Sequence, residues 1–145
     1  MILRAANERD IAPIAQIIGD WRADTPYIPP LHTRDEDRQF IAGLVAAQDV
    51  VVAEKDEAVQ GFIARDGVEI GQLYLALHAR GQGLGTALLD HMKGQSDHLE
   101  LWCFQANTGA RRFYERHGFF AERLTDGADN AEQQPDIRYV WRAGS

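Results

Sequence analysis

The sequence predicts a single α/β domain, α+β in the grouping of its parts, with helices packed on one sheet. Three observations carry that prediction. β-rich runs such as "DVVVAEK" and "HLELWCF" recur along the chain, segments with apolar residues at helical spacing lie between them, and the 145 residues suit one domain rather than two.

Taken in order, "ILRAA" near the start is a short, partly apolar strand. "ERDIAPIAQIIGDW" follows with Ile11, Ile14, Ala15 and Ile18 on one helical face. "RADTPYIPPLHT" holds three of the five prolines and reads as an extended loop. Thr33, with Glu36 three residues on, makes a capping box for a second helix reaching about Ala46. "DVVVAEK", "AVQGFIARDG" and "VEIGQLYLAL" form an expected antiparallel meander. Beyond a glycine-rich turn, Leu84, Leu88 and Met92 mark the buried face of a third helix. "HLELWCF" alternates, with Leu99, Leu101 and Cys103 on one face. "NTGARRFYERHGF" runs from Asn107 as N-cap to Gly118 as the residue after the C-cap, which brackets a fourth helix. "FFAERL" and "DIRYVWR" close the domain as two strands, in the order β-α-α-β-β-β-α-β-α-β-β.

Composition excludes several classes of function. Apolar residues make up 45% of the chain and charged residues 26%, and no apolar stretch nears the roughly 18 residues of a membrane span, so a globular protein with no membrane partner is expected. The start does not resemble a secretory signal, and Cys103 is the only cysteine, which rules out an internal disulfide and thiolate-cluster metal sites. A cytoplasmic location fits both. Fifteen basic against twenty-two acidic side chains give a net charge of −7, which argues against a nucleic-acid partner and favours cationic or neutral ones. His32, His78, His91, His98 and His117 lack metal-ligand spacing, and Asp126, Asp129 and Glu132 lack the calcium-loop pattern, so no metal is expected.

The junction "LYLALHARGQGLGTALL" is the most informative stretch. A strand entering a glycine-rich turn and then a helix offers unpaired N–H groups and the positive end of a helix dipole, which suits an anion and phosphate above all. No lysine follows the last glycine, which disfavours a nucleoside-triphosphate P-loop. The dinucleotide spacing G-x-G-x-x-G fails as well, because Thr86 and Leu88 stand where its third glycine belongs. A nucleotide-dependent enzyme is therefore opposed.

The remaining pattern, Arg80 to Gly85 after "LYLAL", together with "NTGARRFYERHGF" downstream, resembles the GNAT superfamily of acyl-CoA-dependent N-acetyltransferases. The resemblance covers nearly the whole chain, with Leu77 where many members have proline. It implies a central mixed, mostly antiparallel sheet of about seven strands with about four helices, and acetyl-CoA as co-substrate. The main chain of Gly81, Gln82, Gly83, Leu84, Gly85 and Thr86 would hold the pyrophosphate, with Arg80 adding charge. Leu73 and Leu75 would pair with the pantetheine arm through their backbone, and Asn107 would contact the donor while capping its helix. Tyr114 matches the tyrosine that protonates the departing thiolate. Glu69 matches the base of histone-type members and is expected on the strand face of Leu73. Glu100 on the neighbouring strand, or water, is the alternative base. Trp21, Tyr27 and His32 are candidates to line the acceptor pocket. The acceptor would be a small-molecule or peptide amine, and a homodimer is common among relatives of this size. The competing reading is a non-catalytic acyl-CoA-binding or sensing domain, against which the retained Tyr114 argues.

Overall fold

The computed structural model describes residues 1–29 and 32–144. Pro30 and Leu31 of the proline-rich stretch, and Ser145, lie outside the described residues. Its strands are β1 (Ile2–Ala5), β2 (Asp49–Lys55), β3 (Ala58–Asp66), β4 (Glu69–Leu75), β5 (His98–Phe104), β6 (Phe120–Leu124) and β7 (Asp136–Arg142). The helices are α1 (Ile11–Ala23), α2 (Arg34–Ala47), α3 (Leu84–Lys93) and α4 (Thr108–Arg116). They follow the expected order.

One sheet runs β1-β2-β3-β4-β5-β7-β6, antiparallel throughout except where β4 meets β5. β2 is buried on both faces, which explains its unbroken apolar run. Val50 and Val52 pack with α1 and α2, whereas Val51 and Ala53 join Leu84, Leu88 and Met92 of α3 on the other side. The predicted face of β5 also lies in this second core, since Leu99, Leu101 and Cys103 are buried there with Ile137 and Tyr139 of β7.

The caps act where the sequence places them. Thr33 accepts from Glu36 N while the Glu36 carboxylate accepts from Thr33 N, starting α2. Asn107 Oδ1 accepts from Ala110 N at 3.1 Å and starts α4. Two buried aspartates tie the first elements together: both Asp10 oxygens accept from Arg4, and Asp37 of α2 pairs with Arg22 of α1 at 2.9 Å.

Two features open the sheet at its centre. β4 and β5 share a single register pair, Glu69 with Glu100, before they diverge. β4 also carries a bulge: Arg65 faces Ile70 and Ala64 faces Gln72, so Gly71 has no counterpart. The extra residue shifts the strand's alternation by one. Ile70, rather than Glu69, therefore belongs to the core that Leu73 and Leu75 pack against, while Tyr74 packs on the opposite core. The expectation that Glu69 shares a face with Leu73 assumed an unbroken strand, and the bulge overturns it. Among the described residues no helix is long and apolar enough to cross a membrane.

Candidate active site

The wedge between β4 and β5 opens onto a cavity of about 560 Å³. One wall is the end of β4, Leu73 to Leu75, followed by Arg80, Gly81 and Gly85. Facing it is the start of α4, with Asn107, Ala110, Phe113 and Tyr114, while Trp21 and the 24–27 segment form the roof. The roof is held by aromatic contacts to both arms of the wedge. Trp21 lies 5.0 Å from Tyr74 of β4, and Tyr27 lies edge-on, 6.0 Å from Phe104 of β5.

The three glycines of the turn do different work. Gly81 and Gly83 sit at φ of 78° and 81°, in the left-handed region that side chains rarely adopt, with open space around them. Gly85 is helical, and a Cβ there would stand 3.4 Å from the Phe113 ring, so its glycine lets α3 and α4 approach closely. Among the described residues no backbone N–H from Gly81 to Thr86 has a protein acceptor. Six successive unclaimed donors at a helix start are free to bond an anion. Arg80 and Arg116 add positive charge to the same cavity.

Residues 46–120, from the end of α2 through this turn and α4 to the start of β6, match the family model described as acetyltransferase (GNAT) domain. The chain belongs to the GNAT family. It is 30% identical over 106 residues to an N-acetyltransferase of Methanocaldococcus jannaschii described as uncharacterized, covering 70% of this chain and 47% of that protein. It is 28% identical over 92 residues to the peptidyl-lysine N-acetyltransferase YjaB of Salmonella typhimurium, covering 63% of each. The chain thus spans about half the length of the first relative and under two thirds of the second. In fold it is similar to YncA, a Salmonella typhimurium acetyltransferase solved with acetyl-CoA, at a TM-score of 0.76 and 16% identity, covering 100% of this chain and 95% of that one.

This GNAT cavity gathers Trp21, Tyr27, Leu73, Leu75, Arg80, Gly81, Gly85, Asn107 and Tyr114. Tyr114 is almost fully buried, and burial pushes its hydroxyl well above the ordinary tyrosine range. Its hydroxyl is therefore neutral, and its ring is packed by Phe113 and Phe119, at 5.3 and 5.5 Å.

Other candidates stand elsewhere. The side chain of Gln82 accepts from Lys55 Nζ at 2.8 Å, that of Leu84 is buried in the core, and Thr86 Oγ1 lies 3.1 Å from His117 Nε2. None of these side chains lines the cavity. His32 lines a separate space of about 220 Å³ beside α1 and α2.

Glu69 lies at the closed end of the wedge and lines neither this cavity nor the space across the sheet. Both its oxygens accept from Arg138, at 2.6 and 2.9 Å. Glu100 is bound to His98 at 2.5 Å and to Arg138 at 3.1 Å, and these contacts hold its carboxyl below the usual range. Trp102 stacks over Arg138 at 5.2 Å and completes the cluster. Cys103 is buried, and burial raises its thiol to about 11, which keeps it an inert small hydrophobe.

The sequence reading missed Tyr74, Arg116 and the wall formed by Asp24, Thr25 and Pro26. Tyr74 was legible in principle: it is the one residue of "LYL" whose parity sends it away from Leu73 and Leu75.

Proposed function

We propose that this protein transfers an acetyl group from acetyl-CoA to a primary amine by direct attack in a ternary complex. The observation that carries the reading is the meeting, in one cavity, of the unpartnered β4 edge, the row of unclaimed N–H groups from Gly81 to Thr86, and the buried neutral hydroxyl of Tyr114. Those parts suit the chemistry of a pantetheine arm, a pyrophosphate and a departing thiolate.

In this reading the amine nitrogen attacks the thioester carbonyl, the carbon–sulfur bond breaks, and the Tyr114 hydroxyl gives its proton to the sulfur. The surplus proton on nitrogen leaves through water in the open wedge and restores the tyrosine. Water takes this role because Glu69 is clamped by Arg138 outside the cavity and Glu100 is held by His98. The acceptor is a small-molecule amine or a peptide amine, in keeping with the peptidyl-lysine activity named for YjaB. A reducing compartment such as the cytoplasm suits the lone buried thiol. A homodimer is part of the proposal and is tested by sedimentation.

Calorimetry should show coenzyme A binding that Gly83→Glu weakens by placing a carboxylate at the turn. Release of free thiol from acetyl-CoA, followed over a panel of amines, should fall by about 10²-fold in Tyr114→Phe, the usual contribution of a general acid, with coenzyme A affinity retained. Absent coenzyme A binding sinks the reading. Binding without turnover on any amine leaves the non-catalytic sensing domain in its place.

A further inference from the structure

His117 joins the helix that carries Tyr114 to the helix that leaves the glycine turn. It stands at the end of α4, and its ring lies against Phe113 at 4.6 Å. Its Nε2 is 3.1 Å from Thr86 Oγ1 in the first turn of α3, and its carbonyl accepts from Lys93 Nζ in the last turn. One residue thus grips α3 at both ends. Phe113 completes the junction, 3.4 Å from the place of a Cβ on Gly85.

Thr86 is the part of the turn that this grip reaches. The row of unclaimed N–H groups stops there, because the next one, Ala87 N, donates to Gly83 O at 3.1 Å. His117 itself does not line the donor cavity, so its influence on a ligand passes through Thr86 or through its own charge.

That charge is adjustable. The ring is half-buried, and burial holds the imidazole below its ordinary range; Lys93 of α3 and Arg116 of α4 push the same way, and Asp90 of α3 opposes them. The ring is therefore neutral at pH 7, and its tautomer sets whether it accepts from the Thr86 hydroxyl or donates to it. An anion at the turn reverses part of this balance. It favours the imidazolium, which donates to Thr86 Oγ1, and by linkage a proton on the ring tightens the anion by the same factor.

We propose that His117 is a positioning residue for the acyl donor: it holds Thr86, and with it the helical end of the N–H row, and on taking a proton it adds positive charge beside the pyrophosphate. The proposal rests on the donor reading given above and adds a residue that acts on it from behind the turn. The expected sign is tighter donor binding in acid.

The test is calorimetry with 3′-dephospho-coenzyme A, whose pyrophosphate diester does not change ionisation near neutral pH, on wild type, His117→Gln, His117→Leu and His78→Asn. Between about pH 8 and about pH 5.5 the wild-type affinity is expected to rise about threefold, with proton uptake seen as a dependence of the binding heat on buffer ionisation. Gln keeps a donor for Thr86 without titrating, so His117→Gln should match wild type within twofold at pH 8 and lose the gain in acid. His117→Leu should be about threefold weaker at both pH values, and His78→Asn, on the approach to the turn, should keep the wild-type gain. In the wild-type protein the His117 ring, followed by NMR, should titrate at higher pH with the ligand bound. An affinity that is flat with pH, a gain that survives in His117→Gln, or a ring titration that the ligand does not move overturns the proposal and leaves the donor reading standing. If neither 3′-dephospho-coenzyme A nor coenzyme A binds, both fall.

Discussion

Tyr114 and Glu69 differ in their surroundings: one is buried among aromatic rings and the other is clamped by an arginine. Tyr114 sits in an apolar pocket that favours its neutral form, so it stays protonated, and able to donate, beyond the pH at which a free tyrosine ionises. A raised acid pKa moves any alkaline loss of activity upward. The pH profile of kcat should therefore rise as the amine deprotonates and show no descending limb below about pH 10, the free tyrosine value. A descending limb near 8 removes Tyr114 as the acid. Glu69, with Arg138 on both oxygens, should tolerate Glu69→Gln with kcat/KM within about threefold of wild type, far short of the loss that follows removal of a general base. A hundredfold loss restores it as the base. The sequence could not separate these cases, because Arg138 is sixty-nine residues away and meets Glu69 only when β5 and β7 pair beside β4.

At the scale of elements, the turn between β4 and α3 was the most legible part of the chain. Its glycine spacing states a backbone need, and Gly81 and Gly83 do adopt positive φ. Gly83→Ala should cost about 1 kcal/mol through the left-handed backbone alone, whereas Gly85→Ala should act by pressing on Phe113. Denaturant melts of the two variants, read beside coenzyme A affinity, separate backbone strain from helix spacing. Asn107→Ala should cost about 1 kcal/mol for the lost cap of α4. The bulge at Gly71 was not legible. A single extra residue on a strand leaves the apolar composition unchanged, yet it reverses which side chains face which core, and so it moves Glu69 off the face of Leu73 and Leu75.

For the molecule as a whole, two cores on opposite sides of one sheet hold the wedge open. α3 anchors the larger one, and Leu88→Ala, at a fully buried position, should lower stability by about 3 kcal/mol in a urea melt. Charge is arranged on the same scale. The chain carries −7 overall, yet Arg80 and Arg116 bring positive charge to the cavity at the β4–β5 wedge. The affinity for coenzyme A should therefore fall roughly threefold between about 50 and 300 mM salt as the Debye length shortens, and a salt-independent affinity removes Arg80 and Arg116 from its binding.

Local pattern alone was enough for the element order, the buried faces of β5 and α3, the two side-chain caps and the positive-φ glycines of the turn. Each depends on residues within a few positions of one another, where periodicity and glycine conformation act directly. The open wedge with its cavity and the Arg138 clamp on Glu69 depend on contacts between distant strands. Only the diverging pair β4 and β5, with the bulge that sets which way each side chain faces, brings those residues together.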